Sequence, residues 1–128
     1  MNVKVRDLPP GRLLAVDPGT SLAEVARQMG LEDSDSVAVM SDGRLVGIIT
    51  ERDLVRVIAD GVNPKQATAE VIMTPDPATV TADEDVSVVA LRMMSLGIRH
   101  LPVVDAQAKP VGLLSARNLV AVLDRARP

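Results

Sequence analysis

The constraint that most limits this chain's fold is an internal repeat. The run Val37-Ala38-Val39-Met40, followed by Leu45-Val46-Gly47-Ile48-Ile49-Thr50-Glu51-Arg52-Asp53-Leu54-Val55, returns as Leu101-Pro102-Val103-Val104 and then Val111-Gly112-Leu113-Leu114-Ser115-Ala116-Arg117-Asn118-Leu119-Val120. Upstream, Leu22, Val25, Ala26 and Met29 return as Val86, Val89, Ala90 and Met93, an offset of 93 − 29 = 64. Gly47 returns as Gly112, an offset of 112 − 47 = 65, so one residue is inserted in the intervening turn. A repeat of this length exceeds a stacked solenoid unit. It implies two copies of a small motif forming one pseudo-symmetric domain, with any ligand site expected in a cleft between the copies.

Each copy reads strand, helix, strand, strand, helix. In the first, residues 13–16 form a short apolar strand. Ser21 then opens a helix, with Glu24 placed to complete a capping box. Leu22, Val25, Ala26 and Met29 fall at i, i+3, i+4 and i+7, one face of that helix. Residues 37–40 and 45–49 are apolar strands joined through Asp42-Gly43, a tight-hairpin signal. A helix follows over 51–60, stopped by Gly61. The second copy repeats this plan with strands at 79–81, 101–104 and 111–114 and helices at 86–96 and 116–125. Residues 61–65 form a linker between the copies, too short for two free domains.

Composition narrows the function. Net charge is −3 and Phe, Tyr and Trp are absent. A nucleic-acid binder usually has a basic excess, and single-strand binders stack bases on aromatic rings. Both features argue against nucleic acid. A purine bound here must lie between aliphatic side chains and backbone. The six methionines fill gaps in a core without rings. No apolar run approaches the roughly 18 residues of a membrane helix. The first residues lack the apolar stretch of a secretory signal. There is no cysteine, hence no disulfide, thiol catalysis or cysteine metal site. These features fit a cytoplasmic protein.

One histidine and no cysteine leave little room for an enzyme, and no phosphate-loop, His-Glu-x-x-His or nucleophile-elbow motif is present. Asp33, Asp35, Asp83, Glu84 and Asp85 read as loop solvation and helix N-terminal charge rather than metal ligands. The sharper feature is Gly47 to Asp53, where a buried strand meets a helix. Thr50 sits at the N-cap with Asp53 three residues on. Two readings stand for this pair, and for Ser115 and Asn118: a plain helix cap, or an anion-attracting terminus used for binding.

The doubled pattern resembles the cystathionine-β-synthase (CBS) domain, which occurs in tandem pairs. The resemblance is carried by Met73-Thr74, Thr79-Val80, Arg99-His100-Leu101-Pro102-Val103-Val104-Asp105 and Val111-Gly112-Leu113-Leu114-Ser115, with Leu45 to Leu54 in the first copy. It implies an α/β fold of two pseudo-symmetric β-α-β-β-α motifs, over residues 5–62 and 69–127, packed as one CBS-pair (Bateman) module. It further implies regulatory binding of an adenosyl compound such as AMP, ADP, ATP or S-adenosylmethionine, with no catalysis, no metal and no cofactor in the strict sense.

Carried over residue by residue, the resemblance places Asp53 on the ribose hydroxyls and Thr50 on phosphate or ribose. Arg99 and His100 go to the phosphate, and Leu14, Val16, Val37 and Ala38 to the purine. A second, weaker site would involve Ser115, Asn118, Val80 and Leu101. There Asn118 replaces the aspartate, and Asp35-Ser36 stands where Arg99-His100 stands in the other copy. The family's helices commonly make disc-like homodimers. A homodimer is therefore expected, through a face around Val89, Met93, Val120 and Leu123, and so is an unidentified effector protein. The alternative is a ligand-free interaction module that dimerises and docks on a partner.

Overall fold

The computed structural model describes residues 2–8 and 12–125, the last three of them by backbone alone. Two compact units result. Leu13–Pro77 is one. The other joins the chain from Ala78 onward to the N-terminal segment that holds Val5 and Leu8.

In the first unit the sheet order is β1-β2-β3-β4, with β1 Ala15–Val16, β2 Ser36–Ser41, β3 Arg44–Thr50 and β4 Thr74–Pro75. β1 runs parallel to β2, with Ala15 opposite Ala38, and the other neighbours are antiparallel. The β2–β3 turn places Asp42 and Gly43 at φ 52° and 76°, the left-handed pair of a type I′ hairpin. Helix α1 (Leu22–Leu31) and helix α2 (Glu51–Ala59) flank the strands. Leu22, Val25, Val37, Val39 and Ile49 are fully sealed from solvent in one core with Val16, Met29 and Leu54. Each such side chain contributes about 1.5–3 kcal/mol by leaving water.

Two details differ from the sequence expectation. Ala26 is exposed, because the apolar stripe of α1 is narrow and only Leu22, Val25 and Met29 reach the core. The capping box at Ser21 is half-formed. Ser21 Oγ accepts from Glu24 N–H at 3.2 Å, but the Glu24 carboxylate turns to Arg27, whose Nε and Nη2 each donate to it at 2.8 Å.

The second unit repeats the plan with strand order β5-β6-β7, where β5 is Val80–Thr81, β6 His100–Val104 and β7 Pro110–Ser115. Helix α4 (Val86–Leu96) and helix α5 (Ala116–Arg125) pack on one another and on the strands. Its core contains Val80, Val86, Val89, Met93, Leu101, Leu114 and Leu119. The extra residue of its hairpin is absorbed by Ala108 at φ 63°, while Asp105 Oδ1 accepts from the N–H groups of Gln107 and Lys109.

Two leading segments invisible to the periodicity analysis complete the units, and they are exchanged. A 3-10 turn, Val5–Asp7, belongs by sequence to the first repeat, yet Val5 and Leu8 are buried in the second core. Helix α3 (Ala69–Ile72) belongs to the second repeat, yet Ala69 is buried in the first core. The isolated bridges Lys4–Asp85 and Ser21–Thr68 are the same contact in the two repeats, since 68 − 4 = 64 and 85 − 21 = 64. Lys4 Nζ also pairs with Asp85 Oδ1 at 3.0 Å. Sequence ranges 5–62 and 69–127 are therefore a different partition from the compact units. Residues 126 and 127 lie outside the described residues.

Candidate functional site

The first unit builds its polar centre where β3 stops. The strand's last residue, Thr50, keeps extended backbone at φ −114°, ψ 164° and becomes the N-cap of α2. Its side chain and that of Asp53 then satisfy the helix end reciprocally. Thr50 N–H donates to Asp53 Oδ2 at 2.8 Å, Thr50 Oγ1 donates to the same oxygen at 3.1 Å, and Asp53 N–H donates to Thr50 Oγ1 at 3.3 Å. One carboxylate oxygen thus holds the cap. The other, Oδ1, makes no hydrogen bond among the described residues and is left for solvent or a ligand at the positive end of the helix.

The strand that carries this cap is positioned by a close approach. A Cβ on Gly47 would lie 2.3 Å from Sδ, 2.7 Å from Cγ and 2.9 Å from Cβ of Met73, so only glycine lets β4 pair along β3 here.

The other residues expected at this site on the same unit lie along the adjoining strands. Leu14 C=O accepts Ala38 N–H at 2.9 Å, which ties the chain before β1 to β2. Val16 and Val37 belong to the core, Leu14 is half-buried against it, and Ala38 is fully buried. The region is apolar beside one anionic, cap-fixed side chain.

The second unit reproduces the cap with different chemistry. Ser115 N–H donates to Asn118 Oδ1 at 2.8 Å and Ser115 Oγ donates to it at 3.0 Å. Val80 and Leu101, expected beside it, are core residues. Arg99 and His100 lie on this unit. His100 pairs across β6–β7 with Ser115, and Arg99 C=O accepts Ala116 N–H at 2.8 Å. In the first unit Ser36 pairs with Thr50, and Asp35 C=O accepts Glu51 N–H at 3.0 Å.

Within one unit, then, Thr50 and Asp53 stand beside Asp35-Ser36, and Ser115 and Asn118 beside Arg99-His100. Sequence reasoning missed this pairing. The signal was there: each hairpin's strands run antiparallel from one short turn, so the residues before one strand and after the other must be neighbours.

The apolar helix faces require a correction. Val89 and Met93 are sealed in the second core and present no surface. The exposed apolar residues of α4 are Val88, Leu91, Met94 and Leu96, with Val120 exposed on α5. The side chain of Leu123 lies outside the described residues. Among the described residues no cluster of His, Asp and Glu could hold a metal ion, and no helix is long and apolar enough to cross a membrane.

Comparison with known proteins gives concordant matches. A sequence model described as CBS domain matches residues 5–60 and again 69–125. An uncharacterised 17.7 kDa protein of Acidianus ambivalens is 34% identical over 124 residues, which are 96% of this chain and 74% of that protein. Uncharacterised protein MK0525 of Methanopyrus kandleri is 32% identical over 123 residues, 94% of this chain and 63% of that one. Among solved structures, the CBS domain pair of protein MJ0100, in complex with 5′-methylthioadenosine and S-adenosyl-L-methionine, superposes with a TM-score of 0.90 at 26% identity, covering 99% of this chain and 100% of that one.

Proposed function

Because this chain belongs to the CBS-domain family and carries the motif twice, we propose that it is a regulatory module that binds an adenosyl nucleotide of the AMP, ADP or ATP type and signals its presence to a separate effector protein. The observation that carries this reading is the Thr50–Asp53 pair. Its cap commits one carboxylate oxygen and leaves the second without a hydrogen bond among the described residues, at a helix N-terminus. A fixed anionic acceptor of that kind suits a vicinal diol, whose two hydroxyls both donate. Hydrogen bonds to a charged group contribute about 1.5–3 kcal/mol each.

The ligands of the MJ0100 pair support the adenosyl class. Both carry a 5′-deoxyadenosyl group with sulfur on C5′ and no phosphate, so what they share is the base, the ribose diol and that sulfur. In this chain Asp53 takes the diol and Thr50 helps to orient it. Leu14, half-buried, offers the purine an apolar side chain, while Val16, Val37 and Ala38, whose side chains are buried, offer it backbone. The family resemblance alone assigns the phosphate to Arg99 and His100, which lie on the other unit. The active species is a homodimer, formed through the exposed residues Val88, Leu91 and Met94 of α4.

Calorimetry with AMP and adenosine tests the assignment. Arg99→Ala should weaken AMP at least tenfold and leave adenosine unchanged. Equal effects on both ligands would remove Arg99 from the phosphate. Failure of the parent chain to bind either would refute the nucleotide reading and favour the ligand-free interaction module.

A further inference from the structure

Helices α1 and α4 hold equivalent places in the two repeats and present unlike outer faces. Val88 and Leu91 of α4 correspond to Glu24 and Arg27 of α1, since 88 − 24 = 64 and 91 − 27 = 64, and Met94 corresponds to Gly30. Val88, Leu91 and Met94 are 49%, 65% and 78% exposed. Each is the neighbour of the next on the helix surface, so together they form one apolar stripe. The sequence of α4 holds one charged residue, Arg92, and it is turned back to its own unit. Arg92 Nη1 donates to Glu84 Oε1 at 3.1 Å, and Nη2 donates to Thr79 C=O at 2.9 Å. On α1 the same places carry an ion pair, with Arg27 Nε and Nη2 each 2.8 Å from a Glu24 carboxylate oxygen. Among the described residues, the one large apolar side chain exposed on α1 is Leu31, its last residue. Helices α2 and α5 show no such contrast, because Val55 and Val120 are equivalent (120 − 55 = 65) and both exposed.

From this contrast we infer that α4 is a self-pairing surface: it docks on α4 of a second copy, and the Glu24–Arg27 pair bars α1 from taking that place. The inference rests on the homodimer proposed above and fixes which of two orders it takes. In the other order, first repeat against second, α4 of one copy would lie on α1 of its partner. That contact would strip water from Glu24 and Arg27 against Val88, Leu91 and Met94, which offer no charge and no strong hydrogen-bonding group in return. Desolvating both charges there is a cost that apolar contact does not return. With like on like, apolar surface meets apolar surface and the ion pair is left out of the contact. A two-fold axis makes such an interface isologous, so a residue on the axis meets its own copy. Leu91, at the middle of the stripe, is that residue.

The chain has no cysteine, so introduced thiols report the order directly. The double variant Ala26→Cys/Leu91→Cys puts one thiol on each outer face and keeps the ion pair, since Ala26 is exposed beside it. The variant is shown to melt with the parent, linked with a short bifunctional maleimide, and mapped by mass spectrometry of its peptides. The parent should scatter light as a dimer, and links should join position 91 of one chain to position 91 of the other. Links between position 26 of one chain and position 91 of the other overturn the inference and leave the homodimer standing. A dimeric parent whose variant gives no link between the two positions 91 also overturns it, by placing the interface elsewhere. A monomeric parent overturns the inference and the homodimer together. A second variant tests the role of the charges. Adding Glu24→Val and Arg27→Leu gives α1 the side chains of α4, and links between positions 26 and 91 of different chains should then appear. Their continued absence shows that the ion pair is not what excludes α1, and overturns the inference on that ground.

Discussion

Replacing Gly47 by alanine isolates the contact that lets β4 lie along β3. The backbone at Gly47 lies outside the left-handed region, so alanine is conformationally acceptable there. On unfolded-state entropy alone, Gly→Ala would stabilise by about 0.4–1 kcal/mol. Sterics reverse the sign. Ordinary carbon contacts lie near 3.5–4.0 Å, whereas the new Cβ would sit 2.3 Å from Sδ, 2.7 Å from Cγ and 2.9 Å from Cβ of Met73. The sulfur and Cγ can rotate away, but the Met73 Cβ cannot move without its backbone. That backbone is held by Met73 N–H to Ala69 C=O at 2.9 Å, by the Gly47–Pro75 and Ile48–Thr74 pairs, and by Asp76 N–H to Val46 C=O at 3.2 Å.

Overpacking of this kind costs about 1–3 kcal/mol. For a chain of this size that lowers the melting temperature by roughly 3–12 °C. Circular-dichroism melts of Gly47→Ala, Met73→Ala and the double variant give the coupling. Removing Sδ and Cγ of Met73 leaves one contact at 2.9 Å, so the double variant should be more stable than the sum of the singles implies. A Gly47→Ala melt at or above the parent's, or strict additivity, would refute the reasoning.

Other predictions concern distinct parts of the fold. Leu91→Arg, on the exposed face of α4 (Leu91 is 65% exposed), should convert a homodimer to a monomer by light scattering without lowering the monomer's secondary structure; an unchanged dimer would place the interface elsewhere. Val5→Ala should speed hydrogen exchange in α4 and β6 more than in α1 and β2, because Val5 is buried in the second core; uniform loosening would contradict the exchanged segments. Glu24 should titrate at about 2 by NMR, held below its ordinary 4.5 mainly by the hydrogen bond from Arg27 and then by that from Gln28. Its folded pKa is depressed, so its small contribution is full above pH 4.5 and is lost as pH falls toward 2. A Glu24 pKa at 4.5 would remove the pair.

The repeat, the element order and most of the core were legible because burial enforces period. Leu22, Val25 and Met29 on α1, and Val86, Val89 and Met93 on α4, align at the same offset and are all buried. The exchanged segments were not legible. Val5–Asp7 and Ala69–Ile72 are too short to show a period, and what they bury against lies far away in sequence. The dimer face was misjudged at Val89 and Met93 for a related reason. An apolar stripe does not say which of its sides meets the protein's own core, and here Val88, Leu91 and Met94 are left outside. The cap and the site could not be told apart from Thr50 and Asp53 alone. Their geometry makes the two compatible, since one carboxylate oxygen caps and the other stays open.

The most direct test of this account is the affinity of Asp53→Asn for adenosine, compared by calorimetry with the parent's. Asn118 shows in this same chain that an asparagine makes the cap, with 2.8 and 3.0 Å bonds from Ser115. The variant should therefore melt with the parent while exchanging the outward acceptor for a donor. The account predicts one adenosine per parent chain and a loss of tenfold or more in the folded variant, which corresponds to about 1.4 kcal/mol or more. A folded Asp53→Asn chain that binds adenosine as the parent does would contradict it, leaving Thr50 and Asp53 as a helix cap and nothing else.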